Sequence, residues 1–128
     1  MEECMDYKLK QCLDNVRKPA RYTGGEYNQV IKDKAGLECR FALCFPELYE
    51  IAMSHLGSKI LYGRLNAMDK VWCERMHAPA PDMEREMRRV GLPLYGLESK
   101  DPASAFDIFG FSLQYELSYT NILNMLDL

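Results

Sequence analysis

The 128-residue chain lacks any apolar run approaching the roughly 18 residues that a membrane-spanning helix requires. The N-terminus also lacks the basic and then apolar pattern of a signal peptide, since it begins with the acidic, mixed stretch MEECMDYKLKQC. We therefore expect a cytoplasmic protein that makes no contact with membranes.

The sequence has no excess of positive charge. Lys and Arg number 16 against 19 Asp and Glu, which gives a formal net charge of −3. Because nucleic-acid-binding domains usually present a basic surface, the composition argues against a nucleic-acid partner. The five cysteines, an odd number, predict reduced thiols and not a disulfide framework.

Sequence motifs of self-contained enzymes are also missing. The chain contains no Gly-x-Ser-x-Gly, no phosphate-binding P-loop, and no Gly-x-Gly-x-x-Gly after its first apolar run. Cys73 and His77, taken with Cys39 and Cys44, would form a poor zinc set, because Cys39 and Cys44 point to opposite faces of a strand. We expect no metal site and no catalysis by this chain alone.

Apolar periodicity predicts two regions of different character. Helical spacing from Met5 to Val16 predicts an amphipathic helix over about residues 3–16. Residues 17–36 lack a clear period and contain Pro19, the Gly24-Gly25 pair and Gly36, which is typical of an irregular arm. We therefore divide the chain into a helix and arm over residues 1–37 and an α/β domain over residues 38–128.

The α/β domain is predicted from apolar runs that alternate with helical patterns, as in βαβ units with a mostly parallel sheet. Strands are predicted at Cys39–Phe45, Val71–Met76 and Phe106–Leu113, with a short edge strand at Leu92–Leu97. Helices are predicted from Ser54 to Asn66, from an N-cap at Asp82 to Gly91, and from Ser118 or Thr120 through Leu126.

This order of elements predicts a three-layer, Rossmann-like fold with a sheet that is incomplete at the C-terminus. A sheet of three or four strands in so short a chain leaves an edge and part of one face uncovered. We therefore expect the chain to be the N-terminal portion of a larger protein, or to be completed by a partner.

Ligands of α/β proteins bind at the carboxyl ends of parallel strands. The loops expected to form this rim are Phe45–Gly57, His77–Pro81 and Ser112–Glu116, and Tyr115 and Tyr119 could line the same crevice. In the arm, Arg21 and the Gly24-Gly25 turn could bind an anion through backbone amides. The alternative is that Tyr22 and Tyr27 fix the arm to its own domain or to a companion domain.

Four blocks of the sequence resemble the N-terminal part of a family of uncharacterised radical SAM proteins that begin with a cobalamin-binding-like domain. The blocks are KPARYTGGEYN (18–28), FALCFPELYEIAMSHLGSKILYGRLN (41–66), VWCERMHAPAPDME (71–84) and FDIFGFSLQYELSYTNILNMLDL (106–128). The resemblance implies a radical SAM barrel downstream, or in a partner chain, whose CxxxCxxC motif holds a [4Fe–4S] cluster that reduces S-adenosylmethionine. The cysteines here, at 4, 12, 39, 44 and 73, do not form that motif, so the cluster would belong to the companion domain.

The resemblance also implies a place for cobalamin. Cobalt-ligating relatives carry a D-x-H-x-x-G loop, and His55 fits that pattern with Met53 in place of Asp and Ser58 in place of Gly. A metal-bound imidazole needs an acceptor such as a carboxylate on its second nitrogen, which Met53 does not provide. His55 could equally be an ordinary residue of the first helical turn, with Ser54 as the cap.

The later Ser-x-Leu element of that family resembles Ser112-Leu113-Gln114. The residues that the resemblance places beside a cofactor are therefore Ser54, His55, Gly57, Ser112 and Gln114. Two roles remain open: the domain holds cobalamin over the barrel, or it has lost the cofactor and docks on the barrel. The alternative outside this family is a Rossmann-like protein-interaction module with no small-molecule cofactor.

Overall fold

The computed structural model describes residues 2–114 and 116–128, so Tyr115, which the sequence predicts at the rim, lies outside the described residues. Helices and strands alternate after the arm, as predicted. The elements are α1 (Glu2–Leu13), β1 (Cys39–Phe45), α2 (Tyr49–Met53), α3 (Leu56–Asn66), β2 (Val71–His77), α4 (Pro81–Val90), β3 (Ile108–Phe111) and α5 (Tyr119–Asp127). None of the described helices has the length and apolar character needed to cross a membrane.

The three strands form one parallel sheet in the order β2-β1-β3. β1 is central because its run of small and apolar residues can be buried on both sides, and residues 42–45 are buried. Its parallel register pairs Leu43 with Arg75 and Gly110, and Phe45 with His77. The predicted α/β fold and the predicted bounds of β1 are confirmed.

The two faces of the sheet are covered differently. On one face, Ala42, Cys44 and Met76 form an apolar cluster with Met125 of α5. A neighbouring cluster joins α4 to α1 and to the arm. The opposite face, here called the α3 face, carries Leu43, Phe45, Arg75 and His77 and is covered by α3, chiefly over β2.

Two predicted elements differ from the structure around α4. Leu92–Leu97 is buried but is not a strand: the Leu97 N–H donates to the Arg75 carbonyl at 3.0 Å, and Tyr95 forms an isolated bridge with Pro102 instead of a ladder with β2. The N-cap of α4 is Ala80 and not Asp82, because Pro81 suits the first helical position and starts the helix two residues earlier. The predicted end of α4 at Gly91 is confirmed, and this glycine has the left-handed φ of 68°.

Helix α3 begins at Leu56, two residues later than predicted, because Ser54 belongs to the end of the unpredicted helix α2. The Ser54 hydroxyl donates to the Glu50 carbonyl at 2.9 Å, while the His55 side chain caps α3. Apolar side chains of α3 face solvent, since Leu56 and Ile60 are 68% and 55% exposed.

Polar contacts explain the orientation of α3. The Asn66 side chain bonds both the N–H and the C=O of Cys73, at 2.8 and 3.0 Å, and so fixes the end of the helix on β2. Tyr62, one turn earlier, donates to Glu98 at 3.0 Å. These bonds turn the polar side of α3 toward the sheet and leave its apolar side facing outward.

Among the described residues, β3 pairs with β1 alone and so forms an open edge of the sheet, and it is shorter than the predicted strand Phe106–Leu113. Its residues Ile108 and Phe109 are 48% and 38% exposed. The predicted open edge and incompletely covered face are therefore confirmed.

A buried ion pair fixes β1 to β2 and to the segment after α4. The Arg40 guanidinium contacts Glu74 at 2.5 Å and Asp101 at 2.7 Å, and the Glu74 side chain is fully buried. Gly96 passes so close to Glu74 that a Cβ there would lie 2.5 Å from the carboxylate oxygen. Because both charges are out of water, each depends on the other for its stability.

We predict that Glu74→Gln lowers the free energy of unfolding by about 3 kcal/mol, because it leaves the buried Arg40 with a weaker partner. The measurement is equilibrium urea unfolding. Glu38→Gln serves as the matched control, since its ion pair with Lys70 at 2.7 Å is exposed to solvent and should contribute nothing measurable. Equal losses in the two variants would contradict this account of the buried pair.

Candidate functional site

A cavity of about 450 Å³ lies on the α3 face of the sheet. Its floor is the carboxyl-terminal half of β1 and β2, its roof is α2 and α3, and its side is the arm at residues 26–30. Cavities of this size are typical of small-molecule sites in proteins. The cavity is therefore the candidate functional site.

Arg75 is the central charged group of this site. Its Nε donates to Glu98 at 2.6 Å and its Nη2 donates to Glu26 at 2.7 Å. Among the described residues, the remaining nitrogen, Nη1, is bonded to the Met53 sulfur alone, at 3.2 Å, and a thioether is a weak acceptor. The guanidinium carbon also lies 5.3 Å from the ring centroid of Tyr62.

The pKa values of Glu26 and Glu98 shift in opposite directions, although both carboxylates are bonded to Arg75. Burial would raise the pKa of Glu26, yet hydrogen bonds from Arg75 and Tyr49 hold that pKa at about 2. Burial raises the pKa of Glu98 in spite of the neighbouring Arg75, because its side chain is completely buried. Glu26 is therefore the firmly ionised partner of the pair.

His77 ends β2 and forms part of the same wall. Its Nδ1 is buried and has no hydrogen-bond partner among the described residues, and its ring lies 5.7 Å from that of Tyr49 in an edge-on arrangement. Burial lowers the pKa of His77 to about 4, and the charge of Arg75 acts in the same direction. The imidazole is therefore neutral at pH 7 and presents an unsatisfied polar atom.

Hydrogen bonds at both ends of residues 26–30 fix the arm against the domain. Tyr49 donates to Glu26 at 2.6 Å, the Val30 N–H donates to the Tyr62 hydroxyl at 2.7 Å, and Trp72 donates to the Val30 carbonyl at 2.9 Å. The arm is thus a wall of the cavity with a defined position.

The two hypotheses for residues 21–27 are partly resolved. Tyr22 is buried and its hydroxyl accepts from the Ala80 N–H at 3.2 Å, so its predicted role as an anchor is confirmed. Tyr27 is fully exposed, so the prediction that it fixes the arm to its own domain is wrong. The Gly25 amide, which the anion hypothesis requires, already donates to the Gln29 side chain at 2.9 Å.

His55 does not fit the role of a cobalt ligand. Its Nδ1 accepts the Ser58 N–H at 3.1 Å, which caps α3, so the proton of the neutral ring lies on Nε2. A histidine that ligates cobalt through Nε2 needs that lone pair free and a partner for a protonated Nδ1. Met53, at the position of the relatives' Asp, instead contacts Arg75. The residues around His55 therefore do not fit a protein-ligated cobalt.

The other predicted cofactor residues lie around the ends of β1 and β3. Ser54 is exposed, and a Cβ on Gly57 would lie 2.9 Å from the His55 ring, so this glycine makes room for the cap. The Ser112 N–H donates to the Cys44 carbonyl at 3.0 Å, and Gln114 donates to the Ser112 hydroxyl at 3.1 Å. None of the five predicted residues lines the cavity, and their contact with a cofactor stays a prediction.

The sequence does not predict the cavity residues Glu26, Tyr62 and Arg75, or Glu98, which is bonded to Arg75. One signal was present: the charged pair Glu74-Arg75 interrupts the otherwise apolar strand VWCERMH, and both side chains are largely buried. A charge in a buried strand requires a partner, so this pair indicates an ionic site. Within residues 2–114 and 116–128, no three His, Cys, Asp or Glu residues converge as a metal site.

Comparison with known families gives one match. The model of a family described as radical SAM proteins, N-terminal, matches residues 57–128, which is more than half of the chain. Gly57, Ser112 and Gln114 lie in the matched segment, whereas Ser54, His55 and the arm precede it. No curated protein and no solved structure matches the chain.

We predict that His77→Phe reduces the loss of stability on acidification. The folded-state pKa of about 4 lies below the ordinary value of 6.5, so the unfolded chain takes up a proton first as the pH falls. Between pH 7 and pH 4.5 this protonation of the unfolded chain lowers the free energy of unfolding of the wild-type protein by about 2 kcal/mol. The variant lacks the imidazole and does not lose this amount. Urea unfolding at the two pH values measures the difference. Parallel pH profiles for the two proteins would show that His77 is not buried in the neutral form.

Proposed function

Because this chain belongs to the family of N-terminal domains of radical SAM proteins, we propose that it docks on a radical SAM domain, in the same protein or in a partner protein. The companion domain carries out the radical chemistry, and this domain supports it. The observation that carries the proposal is the open edge of the sheet at β3, which lies within the matched segment.

The surface proposed for docking consists of β3 and the outer side of α5, and we call it the edge surface. Phe109 is exposed on β3 on the side of the sheet that α5 covers, and Ile108 is exposed at the same edge on the α3 face. Leu123 and Leu126 are 66% and 60% exposed on α5. Exposed apolar side chains along an unpaired strand edge are costly in water and are typical of a surface that another domain covers.

The orientation of α5 supports this choice of surface. Met125 packs on the sheet, and Arg88 of α4 donates to Asn124 at 2.6 Å and to Asp127 at 2.8 Å. These contacts fix one flank of α5 against α4. Leu126 therefore lies on the other flank, away from α4, where a companion domain has access to it.

We predict that Ile108→Arg weakens binding of this chain to its companion radical SAM domain at least tenfold, because a charge would be buried in the interface. The affinity is measured by titration calorimetry with the two domains as separate polypeptides. Tyr7→Arg is the matched control: Tyr7 is 65% exposed but lies on α1, before the matched segment, and should leave the affinity unchanged. Absence of any binding between the two domains would refute docking, and an effect of Tyr7→Arg alone would refute the edge surface.

The second candidate function is to hold cobalamin without a protein ligand to cobalt. The observation that favours it is the position of Ser112, half-buried at the carboxyl end of β3 and bonded to the end of β1 through its N–H. The adjacent part of the α3 face carries Gly110 against the ring of Phe41, which leaves a flat apolar surface beside a hydroxyl group. The alternative interaction module, which has no cofactor, would not bind cobalamin.

For this second candidate, we predict that hydroxocobalamin co-elutes with the chain and that His55→Asn leaves the absorbance spectrum of the bound cofactor unchanged. Asn retains the capping ability that α3 needs, so the variant removes the imidazole alone. Ser112→Trp should block the end of β3 and abolish co-elution. Failure of the folded wild-type chain to retain hydroxocobalamin eliminates this candidate and leaves docking as the function.

A further inference from the structure

The cavity on the α3 face and the edge surface involve different residues, so a role for the cavity does not rest on docking. Most of its interior is apolar, with Leu43 and Phe45 in the floor and Val30, Ala52 and Met53 along the arm and the roof. Removing apolar surface from water drives binding in a site with such walls. The interior therefore favours a ligand with an apolar body.

The arm wall of the cavity is fixed before any ligand binds. Glu26 is bonded to both Tyr49 and Arg75, and the Val30 N–H is bonded to the Tyr62 hydroxyl. These bonds give residues 26–30 one position beside the cavity. A site formed in advance loses little conformational entropy when its ligand binds.

Gly63 leaves one side of the cavity without a side chain. It lies inside α3, where glycine is less favourable than alanine. Its φ is not positive, and a Cβ at this position would meet no atom within 4 Å. Neither the backbone nor a close neighbour among the described residues requires glycine here, so its effect is to keep this side of the cavity open.

Lys59 lies one helical turn before Gly63, on the same side of α3. Both residues line the cavity and are exposed to solvent, so they lie where the cavity opens, and we call this opening the mouth. Within residues 2–114 and 116–128, the Lys59 ammonium has no hydrogen bond or ion pair. The mouth therefore presents one positive charge that a ligand can neutralise.

The other charged groups of the cavity already have partners. Glu26 and Arg75 form an ion pair at 2.7 Å, and Arg75 is also bonded to Glu98, which lies outside the lining. An anion near Arg75 would meet both carboxylates, whereas an anion at Lys59 meets an unpaired ammonium. One ammonium balances the single charge of a carboxylate better than the nearly double charge of a phosphate monoester.

We propose that this cavity binds an aliphatic monocarboxylate, with its hydrocarbon chain between α3 and the sheet and its carboxylate at Lys59. Burial of the hydrocarbon chain supplies most of the affinity. The ion pair is exposed at the mouth and contributes less, and it makes the site prefer an anion over an alcohol or an amine of the same length.

The test is titration of the chain with octanoate, 1-octanol and octylammonium, followed by chemical-shift changes in heteronuclear NMR spectra. We expect octanoate to bind with a Kd of about 1 mM or tighter, which a ligand of about ten non-hydrogen atoms can reach. It should bind about threefold more tightly than 1-octanol. The shifted resonances should include residues 26–30 and 58–63. Absence of octanoate binding, or equally tight binding of octylammonium, overturns the proposal.

Lys59→Met tests the position of the carboxylate, because it keeps an unbranched apolar side chain and removes the charge. Octanoate binding should weaken about threefold, while 1-octanol binding stays unchanged. Lys10→Met is the matched control, since Lys10 is exposed on α1 and lies outside the cavity. Unchanged octanoate binding in Lys59→Met, or an equal loss for both ligands, would show that Lys59 does not hold the carboxylate.

Gly63→Leu tests the position of the hydrocarbon chain. The new side chain has room at its Cβ and fills the open side of the cavity, so both octanoate and 1-octanol should bind at least tenfold more weakly. Circular dichroism checks that the variant keeps its helical content, as expected for leucine in place of glycine inside a helix. Wild-type affinity for octanoate in the folded variant would overturn the assignment of the cavity as the binding site.

Discussion

The buried guanidinium of Arg75 is the constraint on which much of this structure depends. One side chain contacts three separate parts of the chain: Glu26 in the arm, Glu98 after α4, and Met53 at the end of α2. A charge at this position in a buried strand would be strongly destabilising without its carboxylates. The arm and the segment after α4 are therefore held in place by the same group that forms the floor of the cavity.

The polar nature of the α3 face explains why a cavity exists there at all. A helix that packs on a sheet normally does so through apolar side chains, which interlock at close distance. Here α3 turns Tyr62 and Asn66 toward β2 to satisfy Glu98 and the Cys73 backbone, and its leucine and isoleucine side chains face outward. Each of these polar groups must keep its own partner, so side chains do not fill the space between α3 and the sheet. His77, at the end of β2, lines this space.

Local sequence patterns predicted much of the architecture and little of the site. The continuous apolar run of β1 and the glycine at the end of α4 were sufficient to locate those elements, because they depend on local burial and backbone conformation. The segment Leu92–Leu97 was placed wrongly as a strand, because its burial comes from contact with β2 and the α1–α4 cluster and not from sheet pairing. The resemblance to radical SAM N-terminal domains agrees with the family match over residues 57–128.

The sequence by itself determined the α/β class, the central strand and the family, because each of these is encoded in short or contiguous patterns of residues. Only the tertiary structure decided the cavity and the role of His55. The contacts of Arg75 join positions 49 and 23 residues apart in the chain, and no periodicity encodes such distances. For His55, the choice between metal ligand and helix cap depended on which nitrogen faces the Ser58 N–H, and that is a matter of three-dimensional geometry.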